Sequence, residues 1–185
     1  VDLSAFYFDI RKDTLYCDSK NSKKRKDCIL VLNIILEALL KWFAPILSFT
    51  TEEIFTLVHK DKKSIHLENF IQIPKIYFNQ KLNEKWDVLK KIREVCNISI
   101  EEKRANKEIG SSLEANLIIS LDDKKTSIVQ DIDFSELCIT SSATLEKNTS
   151  EEISVKTTKA EGNKCPRCWK IFQTSCKRCE NAKIN

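Results

Sequence analysis

Methionine is absent from this 185-residue chain, and glycine and proline occur only two and three times, where average usage would give about 13 and 9. With so little glycine, a phosphate-cradling loop cannot be built. Neither G-x-G-x-x-G nor G-x-x-x-x-G-K can be written with Gly110 and Gly162 alone. So few turn formers favour long helices over an all-β sandwich. No apolar run reaches membrane length either. The longest, 29-ILVLNIILEALLKWFAPIL-47, is interrupted by Asn33, Glu37 and Lys41 before the ~20 residues a span needs. These three recur every fourth position and so share one stripe of a helix. The apolar surface around them predicts the buried central rod of a helical bundle, stopped by Pro45. With no Met and an opening that reads mid-element, the chain is expected to be a piece of something longer.

At 42% hydrophobic and 31% charged, the sequence is that of a folded protein, neither disordered nor membrane-embedded. Residues 2–10 read as the end of a helix and Arg11–Asp18 as a charged connection, with Ser19 or Ser22 capping the central helix. In 50-TTEEIFTLV-58, Thr50 and Glu53 have capping-box spacing. Residues 59–80 lack helical period. A helix of about 40 Å is expected over roughly 82–108. It places Trp86, Leu89, Ile92, Val95, Cys96, Ser99 and Ile100 on one face, and Gly110 ends it by taking positive φ. Beyond it the period falls to two: 115–121, 137–144 and 153–160 read as strands, and 122–132 as a short helix. The expected fold is mainly α. A helical bundle (1–81) leads into a long helix with a small α+β junction (82–160) and then a four-cysteine module (161–185).

Cys17, Cys28, Cys96 and Cys138 are scattered singly, as buried small hydrophobes are. The other four crowd into 162-GNKCPRCWKIFQTSCKRCENAKIN-185, a pattern that suits a metal site in a reducing compartment better than secreted disulfides. Cys165-x2-Cys168 and Cys176-x2-Cys179 each aim two sulfurs at one point, and four thiolates complete the tetrahedron of one Zn²⁺. With no open position the metal cannot activate water, so the site is structural. A redox-active C-x2-C pair would not need a second pair.

Residues 159–185 carry 7 Lys+Arg and 2 Asp+Glu, a net +5, within a chain whose total is +4. Four thiolates and one Zn²⁺ add −2 and leave the tail at +3. Its basic residues interleave with the ligands, and Trp169 and Phe172 follow the first knuckle. Cations beside aromatics suit phosphates and unstacked bases of single-stranded RNA. Arg167, Trp169, Lys170, Lys177 and Arg178 are the candidate RNA contacts, although Trp169 could equally be a lid over the metal. Lone histidines in a charged connection, His59 and His66, are expected to face solvent, and no catalytic constellation is found.

The segment KAEGNKCPRCW (159–169) resembles the C-terminal zinc motif of bacterial-type isoleucyl-tRNA synthetases. In the same order, 3-LSAFYFDIRKDTLYCD-18, 37-EALLKWFAPILSFTTEE-53 and 93-REVCNISIEEKRANKEIGSSLEA-115 are similar to that family's anticodon-binding helices and the junction to its zinc module. The seven residues between the knuckles, Trp169–Ser175, are fewer than in some members. The resemblance implies a tRNA-binding part of isoleucine–tRNA ligase, with tRNA for isoleucine as partner and no membrane. A cytoplasmic (or organelle-matrix) monomer is expected. The family consumes ATP at HIGH and KMSKS motifs, neither of which is present, and edits in a separate domain, so ATP belongs to the full-length enzyme and this piece alone is expected to be inactive. Rival readings are a stand-alone helical zinc module with general nucleic-acid affinity, and the C-terminal part of a DNA glycosylase. The second leaves the α+β segment and the three upstream blocks unexplained.

Overall fold

The computed structural model describes residues 2–61 and 63–183. A π-helical stretch, Asp2–Phe8, runs into α1 (Asp9–Cys17), followed by α2 (Lys23–Phe43), α3 (Ser48–Val58) and α4 (Gln80–Ala105). Then come β1 (Ala115–Leu121), α5 (Asp123–Val129), α6 (Phe134–Leu137), β2 (Ser142–Lys147) and β3 (Ser154–Lys159). The short strands β4 (Asn163–Lys164) and β5 (Ile171–Phe172) and the helix α7 (Lys177–Lys183) complete the chain. The architecture is mainly α with a small mixed sheet, as the sequence leads one to expect. Residues 21–78 form one compact unit, and the chain up to Lys20 joins residues 79–185 in the other.

Within residues 21–78, Ser22 caps α2 by accepting the Arg25 amide at 3.4 Å, and the helix ends two residues before Pro45. The expectation of a buried rod fails. Only Cys28, Ala38 and Leu40 are buried along α2, whereas Leu30 is 60% and Trp42 47% exposed. The reason lies in what covers it. α3 and the segment after it meet the polar stripe: Glu37 pairs with His59, and Lys41 with Glu68 at 3.3 Å. Leu36, Leu40, Ala44, Phe55 and Ile65 make the small core beside it. The expected capping box is also absent. α3 begins at Ser48 with Leu47 before it, so Thr50 already lies inside the helix. The connection is irregular, as expected, apart from two single 3₁₀ turns. It is anchored where the Ser64 hydroxyl and Ile65 amide both donate to Glu52 at 2.9 Å.

In the other unit, β1 is the central strand, parallel to β2 and antiparallel to β3. Leu117 stands opposite Ala143 on one side and Thr157 on the other. Residues of alternating parity point to opposite faces, and Ala115, Leu117, Ile119 and Leu121 are fully enclosed. α4 packs Leu89, Ile92, Cys96 and Ile100 into the same core at helical steps. Its Ser99 hydroxyl lies 2.7 Å from that of buried Thr157.

Three expectations need correction here. Arg11–Asp18 is not a connection but most of α1, whose buried Ile10, Thr14 and Cys17 recur at four- and three-residue steps. Outward charges such as Asp9 and Lys12, paired at 2.9 Å, hide that period in the sequence. Gly110 does not end α4. Lys107 takes the left-handed conformation (φ 59°), and the Glu108 amide closes back on the Lys103 carbonyl at 3.0 Å, a Schellman-type cap. The second strand begins at Ser142 rather than 137, because α6 ends with the same closure. Ile139 is left-handed (φ 57°) and the Thr140 amide reaches the Ser135 carbonyl.

Candidate metal centre

The cysteine module is built on a hairpin in which Asn163 pairs with Phe172 and Lys164 with Ile171. Gly162 enters it at φ 128°, and a Cβ there would lie 2.3 Å from the Phe172 carbonyl oxygen. No other residue fits. The first knuckle closes when the Cys165 amide donates to the Lys170 carbonyl (2.9 Å) and the Trp169 amide to the Cys165 carbonyl (3.0 Å). Trp169 is held left-handed, at φ 64°. The second knuckle opens α7, with the Cys179 and Glu180 amides both 3.0 Å from the Cys176 carbonyl.

These turns bring the sulfurs of Cys165, Cys168, Cys176 and Cys179 within 4.8 Å of one another. Four sulfurs at about 2.3 Å from one ion lie about 3.8 Å apart along each tetrahedral edge, and Cys168 and Cys176 are 3.9 Å apart. The donor set therefore fits a tetrahedral, thiophilic cation. Among the described residues no other group of His, Cys, Asp and Glu is arranged to hold a metal. Cys165, Cys168 and Cys179 are buried and Cys176 is half-buried. Burial pushes the Cys165 thiol up, but hydrogen bonds from the amides of Cys168 and Arg167 and from the Cys168 and Cys179 thiols together outweigh it and lower the thiol to about 7. Burial raises Cys168 and Cys179. Crowded thiols of this kind ionise together only when a cation offsets their charge.

The five candidate RNA contacts separate by environment. Trp169 is 59% exposed, with the Lys164 ammonium 6.0 Å from its ring centroid, within cation–π range. Lys177 is exposed. Half-buried Arg167 donates to the Tyr16 carbonyl at 3.1 Å. Lys170 is buried, its ammonium 3.4 Å from the Ser135 carbonyl and hydroxyl. Arg178 binds Asp13 through two hydrogen bonds of 2.6 and 2.9 Å. Those bonds raise its already high pKa further.

Asp13, Asp18 and Cys17 belong to this site although nothing in their local sequence marks them. The other lone cysteines are buried, as expected, but Cys17 packs against the cysteine cluster itself. Burial, reinforced by Asp13, pushes its thiol up to about 11, so it stays a neutral neighbour. The histidines do not join the site. His66 is exposed, as expected. His59, expected to face solvent, instead lies half-buried beside Glu37 with its ring 4.7 Å from that of Phe55.

The profile of the family described as the anticodon-binding domain of tRNA ligase matches residues 1–119. The chain is 65% identical, over 96% of its length, to the isoleucine–tRNA ligase of Pelagibacter ubique, so that likeness extends past residue 119 into the cysteine module. It is 40% identical to the isoleucine–tRNA ligase of Agrobacterium fabrum over 92% of the chain, and 39% identical to that of Bartonella henselae over 94%. The chain spans about a fifth of the length of these curated relatives, 20%, 19% and 19% respectively. Among the described residues no helix is long and apolar enough to cross a membrane.

Proposed function

Because this chain belongs to the family of anticodon-binding domains of tRNA ligases, we propose that it is the part of an isoleucine–tRNA ligase that binds the anticodon region of the tRNA for isoleucine. The observation that carries this reading is identity to isoleucine–tRNA ligases running through both the family segment and the cysteine module. Attachment of isoleucine, with consumption of ATP, takes place on parts of the enzyme outside these residues, and the enzyme works as a cytoplasmic monomer. Tasks divide along the chain: anticodon-binding helices in 1–81, the junction in 82–160, the zinc module in 161–185. One Zn²⁺ held by Cys165, Cys168, Cys176 and Cys179 fixes the module's shape and takes no part in bond-making.

Of the tail residues, Trp169 supplies a stacking face, and Lys177, with Lys164 beside the indole, meets phosphates. Arg167 reaches RNA with what its Tyr16 contact leaves free. Lys170 and Arg178, bonded within the protein, contribute by shaping the surface. Phosphate contacts position such a surface and base contacts specify it. A footprint of the full-length protein on tRNA tests the reading: protection of the anticodon stem and loop is expected, and protection confined to the acceptor stem would refute it. The 185-residue piece alone should show no isoleucine-dependent ATP–pyrophosphate exchange.

A further inference from the structure

Residues 161–183 are too few to own a core, yet the module is not loose. On one side the Ile171 amide donates to the Ser141 hydroxyl at 2.6 Å. Lys170, buried on the module, lies 3.4 Å from the Ser135 carbonyl and hydroxyl. The remaining side, with Arg167, Arg178 and the cysteine cluster, meets the end of α1, more than 140 residues back in the chain. Besides its two bonds to Asp13, the Arg178 guanidinium lies 3.4 Å from Asp18. Arg167 donates to the Tyr16 carbonyl, and the Cys17 sulfur faces the Arg167 carbonyl at 3.9 Å. Asp13 and Asp18 retain only 20% and 11% of their side-chain exposure, and Cys17 is 5% exposed. A planar fork that engages two carboxylates at once is a geometry lysine cannot reproduce. It also places a positive charge next to a cluster that carries −2 once metal-loaded.

We propose that Arg178, received by Asp13 and Asp18, is a positioning residue that seats the cysteine module on the C-terminal end of α1 and so fixes the direction of Trp169 and Lys177. Seating and metal binding are then separable: breaking the seat frees the module as a body without emptying it. The consequence for RNA rests on the function proposed above, but the seat itself does not.

Two readouts on the full-length, zinc-loaded protein keep these apart. The first is alkylation of Cys17 by a neutral maleimide, located by peptide mapping, with zinc measured in the same sample. In the native protein Cys17 is protected. In Asp13→Asn and Arg178→Lys it should react at least tenfold faster with zinc still near one per chain, and Asp13→Glu should stay near the native rate. The second is tRNA affinity. Asp13→Asn removes a negative charge, which by electrostatics alone strengthens RNA binding; loss of the seat should weaken it several-fold instead. Faster alkylation with unchanged tRNA affinity supports the seat and refutes the RNA role of this surface. Unchanged alkylation of both variants with zinc retained overturns the seat. So does loss of zinc from Asp13→Asn, because seat and metal site would then be one structure.

Discussion

Around β1, Ala115, Leu117, Ile119 and Leu121 have no exposed surface, and Leu89, Ile92, Cys96 and Ile100 from α4 close over them. Among the described residues of 161–183, by contrast, only three cysteines and Lys170 are buried. The first region is held by apolar area removed from water, about 1.5–3 kcal/mol for each fully buried large aliphatic side chain. Among its described residues the second has no fully buried aliphatic or aromatic side chain, only half-buried Phe172 against the cysteines, and its sulfurs repel one another once ionised. On the function proposed above, its order comes from the cation held by the four thiolates and from α1, which reaches both regions, with Ile10 in the apolar core and Cys17 against the cysteine cluster.

The contrast can be broken most forcefully by Cys165→Ser. Structural zinc contributes an apparent ~10–16 kcal/mol to small metal-folded modules. This single change should therefore release the metal and unfold residues 163–180, while the main thermal transition stays in place; metal analysis with calorimetry checks both halves. Leu117→Ala should do the reverse. A cavity at a fully enclosed leucine costs about 2–5 kcal/mol, so the main transition falls while zinc per folded chain stays at one.

Trp169 sharpens the comparison, because its side chain and its backbone make different demands. Trp169→Ala should weaken tRNA binding by ~1–3 kcal/mol if the indole stacks on a base, measured by titration with zinc content confirmed. Trp169→Gly should lose the same RNA affinity yet hold its zinc more firmly against a chelator, since glycine adopts the φ of 64° without steric cost. Equal affinity of Trp169→Ala and the native protein across several salt concentrations would reduce the indole to a lid on the metal site. The smallest effect belongs to the apolar region: Lys107→Gly, at φ 59° in an exposed position, should stabilise it by up to about 1 kcal/mol in denaturant unfolding.

What the sequence reveals follows the same division. β1 is legible to the residue because its buried positions recur at every second residue within a β-branched run, and the four cysteines are legible because knuckle geometry writes a two-residue spacing. α1 is not, since its charged outer face masks three buried positions. The terminator of α4 is misread because Gly110 is the obvious candidate, while Lys107 adopts the strained conformation with its helix end closed by the Glu108 amide. α2 is misread for lack of information about its neighbours: apolar periodicity tells which face wants covering, not what covers it. The seat of the module is the least legible feature. Arg178 reads locally as one more cation in a basic tail, and its partner Asp13 lies 165 residues away.

The direct test of the division is amide hydrogen exchange on the full-length protein, with and without a chelator that removes zinc. With metal bound, the amides of Cys165, Trp169 and Cys179, each hydrogen-bonded inside the module, should be protected. After chelation they should exchange at the rate of an unstructured chain, while β1 and the buried face of α4 keep their protection unchanged. Retained protection of those three amides in the metal-free protein, or loss of protection in β1 along with them, would contradict it.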